Sequence, residues 1–273
     1  MASPENPLVE NPSTESQVQA ILPPQETPRL ENPVWTGTDV LQIALLMFLS
    51  PFLIVIVVSL VAQRLFYRGL PWPEVAAKPS LALFTEFLVY AAVVLYMYLL
   101  LEGRYRTRFS EAIRWNWPRG GAWKLIALGI IMLASLQGLG HLLPIPKSVP
   151  FDQFFKRPLE AYITSVFAIS IGPLMEELFF RGFLYPVLAR RLGMGAGVFL
   201  TALAFGLIHA LQLGFAWAPV LLIFLVGTVL TMVRALTQSV AASFVVHAAY
   251  NSTLTVLTFI ATDGFRHLEK LNR

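Results

Sequence analysis

Apolar positions in this chain gather into seven runs, at about 40–62, 81–101, 122–143, 161–190, 196–213, 217–233 and 239–261. A hydrocarbon core of about 30 Å takes about 20 apolar residues of helix to cross. Backbone N–H and C=O groups in lipid must find partners within their own segment, and helices provide them. The pattern predicts an all-α fold, a polytopic helical membrane protein with about seven transmembrane helices. It is expected to be integral and multi-pass, in contact with membrane lipid, with the cell (plasma) membrane as its location.

The stretches between the runs divide the chain. Residues 1–38 hold seven prolines and five glutamates against one arginine, Arg29. Such a stretch buries too little apolar surface to fold and is expected to be a disordered tail. It also lacks the basic start and short apolar core of a cleavable signal peptide. Residues 39–160 are expected to form N-terminal transmembrane helices with interfacial linkers, 161–262 a membrane core, and 263–273 a short C-terminal tail. Within 39–160, Pro51 is expected to kink the first helix, while Glu86 and His141 lie near helix ends, where a polar side chain can reach the interface. Between the second and third runs, Arg104, Arg106, Arg108, Arg114, Arg119 and Lys124 are interleaved with Trp115 and Trp117. That mixture suits headgroup level, and the basic cluster favours an N-terminus inside the cell. Phe151, Phe154 and Phe155 share one face of a helical turn, which suits a short helix on the membrane surface, with a gate as the sharper reading. Ala202 and Gly206, four apart, are expected to let two helices approach closely.

One stretch breaks the apolar pattern. Glu176 and Glu177 are the only acidic residues between Ala161 and Thr262, and Arg181 follows them. Ionisable groups at membrane depth are costly and point to function. Glu177 and Arg181 have the spacing and order of an intrahelical ion pair. On a 3.6-residue helix Glu176 is turned about 100° from Glu177, so the two carboxylates are expected to do different work. Phe205 and His209, and His247 and Asn251, also stand four apart and share helix faces.

Depth brings these residues together. With a hairpin turning at Gly193, Glu176 lies 17 residues before the tip and His209 16 after it. Their heights then differ by one helical rise, about 1.5 Å. Asn251 lies 12 residues past Ser239 and His209 13 past Ala196, which puts them roughly level, with His247 about one turn away. The bland alternative is ordinary hydrogen bonding between helices, worth about 1 kcal/mol each. A Glu, two His and an Asn in one layer favour function.

Composition narrows the chemistry. Of the 273 residues 56% are hydrophobic and 13% charged, with no cysteine. Disulfides, thiolate metal ligands and a cysteine nucleophile are excluded. The net charge of +4 comes from basic residues flanking the apolar runs and calls for no nucleic-acid partner.

Glu176-Glu177-x-x-x-Arg181, Phe205-x-x-x-His209 and His247-x-x-x-Asn251, in this order across about 161–261, resemble the three motifs of the CPBP family. That family comprises the CAAX prenyl endopeptidases and the bacteriocin-processing or immunity proteins, also called Abi proteins. The resemblance implies a hydrolase, an intramembrane endopeptidase of the glutamate type acting on CAAX-type prenylated or other membrane-associated peptides, with 161–262 as its protease core. It implies Glu176 as general base holding a water with His209, and His247 and Asn251 as oxyanion donors. Glu177 and Arg181, with Phe205, would support the site, and no cofactor is expected. Three alternatives stay open. The first is a zinc metalloprotease with Glu176, His209 and His247 as ligands to Zn2+, although no His-Glu-x-x-His is present. The second is a proton-coupled transporter, which usually shows related halves. The third is a non-catalytic immunity or scaffold protein.

Overall fold

The computed structural model describes residues 31–118 and 120–268 of the chain, and among these every regular element is helical. In order they are α1 (Gly37–Leu65), α2 (Trp72–Ala76), α3 (Pro79–Tyr98), α4 (Phe109–Ala112), α5 (Ala122–Gly140), α6 (Pro158–Ile169), α7 (Ile171–Glu176), α8 (Tyr185–Leu192), α9 (Met194–Ile208), α10 (Trp217–Thr237) and α11 (Val240–Ala261). A π-helical turn over Leu99–Arg104 prolongs α3, another over Glu177–Leu184 joins α7 to α8, and Pro150–Phe155 is 3₁₀. Six helical stretches among the described residues are long and apolar enough to span a membrane. With side chains such as Phe52 and Leu53 on α1 facing outward, this is an integral, multi-pass membrane protein.

The fifth expected span falls short. α9 stops at Ile208 after 15 residues, where 196–213 was expected, so His209 stands in the turn that closes the helix. The fourth expected span, 161–190, is one path broken at Ser170, whose φ of −127° and ψ of −81° leave the helical region. Pro173 explains the break, because it has no N–H for the Ile169 carbonyl and crowds it. Further along, Pro186 cannot donate to the carbonyl of Gly182. The chain there opens into the wider i→i+5 turn, a feature that often marks functional sites. Pro51 lies inside the continuous helix α1.

The tail expected over 1–38 falls only partly within the described residues. Residues 1–30 lie outside the described residues, whereas 31–36 are tied to the bundle. Glu31 accepts from Arg234 at 2.8 and 3.3 Å and from Arg114 at 3.0 Å. The Trp35 indole N–H donates to the Phe183 carbonyl at 3.0 Å, inside the π turn, and Arg190 donates to the carbonyls of Pro33 and Trp35. At the other end Phe265, expected in the C-terminal tail, is 2% exposed and packs on Tyr162 and Phe259.

Small residues set the helix spacing around the core. Ala202 and Gly206 are buried where α9 meets α10, as their spacing predicts. On the facing helix a Cβ on Gly227 would lie 3.2 Å from the Ala202 Cα. The contact of α5 with α11 is closer still, since a Cβ on Gly129 would fall 2.6 Å from the Val246 carbonyl oxygen. Gly129→Val is therefore expected to force the two helices apart and destabilise the protein by about 1–3 kcal/mol. Gly138→Val, on the same helix with nothing within 4 Å of its Cβ, is the control. Thermal unfolding in detergent should show a lower Tm for the first variant only, and equal melting would mean the helix contact is not set at Gly129.

Candidate active site

Glu177 is the centre of a buried network, and both it and Arg181 are fully enclosed, with side-chain exposures of 0%. The Arg181 guanidinium donates to Glu177 Oε1 at 3.0 Å. It also donates to the Gly227 carbonyl at 3.0 Å and to the Thr231 hydroxyl at 3.3 Å, both on α10. From α11 the Ser243 hydroxyl donates to Glu177 Oε2 at 2.6 Å, and His247 Nδ1 meets Oε1 at 2.8 Å. An ionised carboxylate only accepts, so this contact puts the proton on Nδ1 of His247 and aims Nε2 elsewhere.

That direction is Glu176. His247 Nε2 lies 3.7 Å from Glu176 Oε2, and His209 Nε2 lies 3.8 Å from Oε1. The Nδ1 of His209 is within 2.7 Å of the Phe205 carbonyl. A carbonyl also only accepts, so this ring too carries its proton on Nδ1 and turns Nε2 to the carboxylate. The Phe205 ring wedges the layer, in contact with His209, His247 and Phe180. The Arg181 guanidinium stacks 4.5 Å from its centroid, a cation–π contact that fixes the arginine's plane. Glu177 thus holds the frame while Glu176, 21% exposed, faces open space.

The space is a cavity of about 1310 Å³ that Glu176, His209, His247 and Asn251 all line. Asn251 turns its Nδ2 to the Ala168 carbonyl at 2.7 Å, beside the break at Ser170, so one of its two amide protons is committed to the backbone. Phe151, Phe154 and Phe155 from the 3₁₀ helix form another wall. That helix is tied to the turn after His209 through the Phe151 N–H and the Gln212 carbonyl, 3.0 Å apart. Among the described residues no three His, Cys, Asp or Glu side chains are arranged to hold a metal ion.

Glu86 and Tyr90, from α3, line the same cavity. Sequence reasoning puts Glu86 near the interface and does not single out Tyr90. The available signal is their spacing of four on one helix face, which gives a hydrogen bond of 2.7 Å between the Tyr90 hydroxyl and Glu86 Oε1.

The network predicts how the protein fails. Arg181→Ala would strand the Glu177 carboxylate in the core without its cation, which typically costs about 3–5 kcal/mol. A clear drop in Tm and in yield of folded protein is expected. Wild-type melting would show that the pair does not hold the bundle together.

Among curated proteins and solved structures none matches the chain. A family model described as type II CAAX prenyl endopeptidase Rce1-like matches residues 158–253. The match runs from the start of α6 into α11 and takes in Glu176, Glu177, Arg181, Phe205, His209, His247 and Asn251. The family is one of endopeptidases, and a protease acting in a membrane setting is what it implies. The segment that carries this site, residues 158–253, is Rce1-like.

Proposed function

We propose that the protein is a glutamate-type intramembrane endopeptidase acting on CAAX-type prenylated or other membrane-associated peptides, in the plasma membrane. The observation that carries this reading is the gap between Glu176 and the two imidazoles. At 3.7 and 3.8 Å it is too long for direct hydrogen bonds and suits a bridging water. His209 Nε2 faces Glu176 as an acceptor, because its Nδ1 proton is already engaged by the Phe205 carbonyl. A water between Glu176 and His209 would donate one hydrogen to each and keep a lone pair for a peptide carbonyl carbon.

The reaction then follows from the residues. Glu176 takes a proton as the water oxygen attacks, in the role of general base. The carbonyl oxygen becomes an oxyanion and needs donors already in place. His247 can donate from Nε2 only as an imidazolium, and the Glu177 carboxylate at its Nδ1 stabilises that cation. Asn251 has a second N–H on the nitrogen that holds Ala168 and can serve as the other donor. Collapse of the intermediate breaks the C–N bond, and Glu176 returns its proton to the leaving nitrogen. No metal is needed in this scheme. The size of the cavity and its apolar and aromatic lining suit a lipidated peptide.

Glu176→Gln should abolish cleavage of a prenylated peptide in liposomes while the protein melts as wild type, and retained cleavage would remove Glu176 from the chemistry. The metal question has its own measurement. Purified protein should hold no stoichiometric zinc and should keep its activity in strong chelators. His247→Ala should lower kcat by about 10²–10³-fold with little change in KM, as expected for a donor that acts in the transition state. Zinc bound one to one, and released by His209→Ala or His247→Ala, would replace the glutamate mechanism with a metal one.

A further inference from the structure

Hydrolysis of a peptide bond leaves two charges where there were none, a carboxylate on one fragment and an ammonium on the other. In water neither needs help. In a cavity within the membrane each separated charge is costly, and the cavity must answer both. The imidazoles of His209 and His247 stand at the Glu176 end, where the new carboxylate forms. The amine leaves on the other side of the broken bond and takes up a second proton as it becomes ammonium.

Glu86 is suited to receive it. It projects from α3, outside the segment that matches the family model, into the same cavity as Glu176 and His209. Tyr90, one turn along, holds it with a 2.7 Å hydrogen bond to Oε1 and is itself stacked on Phe167, with ring centroids 5.7 Å apart. Among the described residues Oε2 has no protein donor. A carboxylate anchored by Tyr90 that lines the cavity and has no ion pair among the described residues is placed for a ligand's cation.

Resting on the endopeptidase reading, we propose that Glu86, oriented by Tyr90, is the subsite for the ammonium group of the departing fragment. The bond chemistry balances. The water oxygen joins the acyl carbon and one water proton reaches the leaving nitrogen through Glu176. The other proton passes from the new carboxyl group to the amine, leaving a carboxylate by the imidazoles and an ammonium at Glu86. Glu86 is then a binding residue that acts on product, distinct from the base.

Inhibition of cleavage by two ligands that differ only at the amine tests this. An apolar tripeptide with a free N-terminus and its N-acetyl form are compared on the full-length protein in liposomes. Wild type should bind the free amine about tenfold more tightly or better, the range of a charge-assisted hydrogen bond. Glu86→Gln keeps an acceptor for Tyr90 and the side-chain shape, and should bring the ratio to about one. A preference unchanged in Glu86→Gln overturns the subsite. So does a wild type with no preference for the free amine, whether or not the variant folds. A wild type that cleaves no peptide overturns the endopeptidase reading and the subsite with it.

Discussion

A carboxylate buried at membrane depth persists only if the protein supplies what water would have given it. Glu177 meets that condition through Arg181 on its own helix and through Ser243 and His247 on α11. Arg181 extends the network to Gly227 and Thr231 on α10. Three helical segments are therefore locked in register by one buried anion. The geometry of Glu176 and the two histidines depends on this lock, because His247 is oriented from behind by the same carboxylate.

The π turn makes the lock compatible with an open neighbour. Glu177 opens that turn and Glu176 closes the α-helix before it. The adjacent carboxylates thus enter different surroundings, one sealed among hydrogen-bond donors and one facing the cavity. Proline sets the two irregularities, Pro173 at the break that exposes Ala168 to Asn251 and Pro186 at the widened turn. Both are tolerated at membrane depth because neighbouring helices and side chains satisfy the freed backbone groups.

The part of the chain before residue 158 does more than enclose this core. Glu31 bridges Arg234 and Arg114, and Trp35 caps a carbonyl of the π turn itself. From α3 come Glu86 and Tyr90, which give the cavity a further carboxylate. A site whose motifs lie wholly in the C-terminal spans is thus supported and lined by residues far away in sequence.

Local repetition made much of this readable in advance. Apolar run length marked the membrane helices, because the bilayer sets a minimum length. Spacing by four paired Glu177 with Arg181 and Phe205 with His209, because a helix puts such residues on one face. Counting residues from the turn at Gly193 put Glu176 level with His209, since the rise per residue is fixed. The tertiary structure alone decided the rest. It ended α9 at Ile208 and left His209 in a turn, and it gave Asn251 a backbone partner at Ala168. It tied Glu31 to Arg234 and set Glu86 in the wall of the cavity. For Asn251 and Glu31 the partner stands far along the chain, Ala168 at a separation of 83 positions and Arg234 at 203. Local periodicity records which face a residue occupies, but a buried charge is settled by whichever helix brings its counterpart, and that follows from packing.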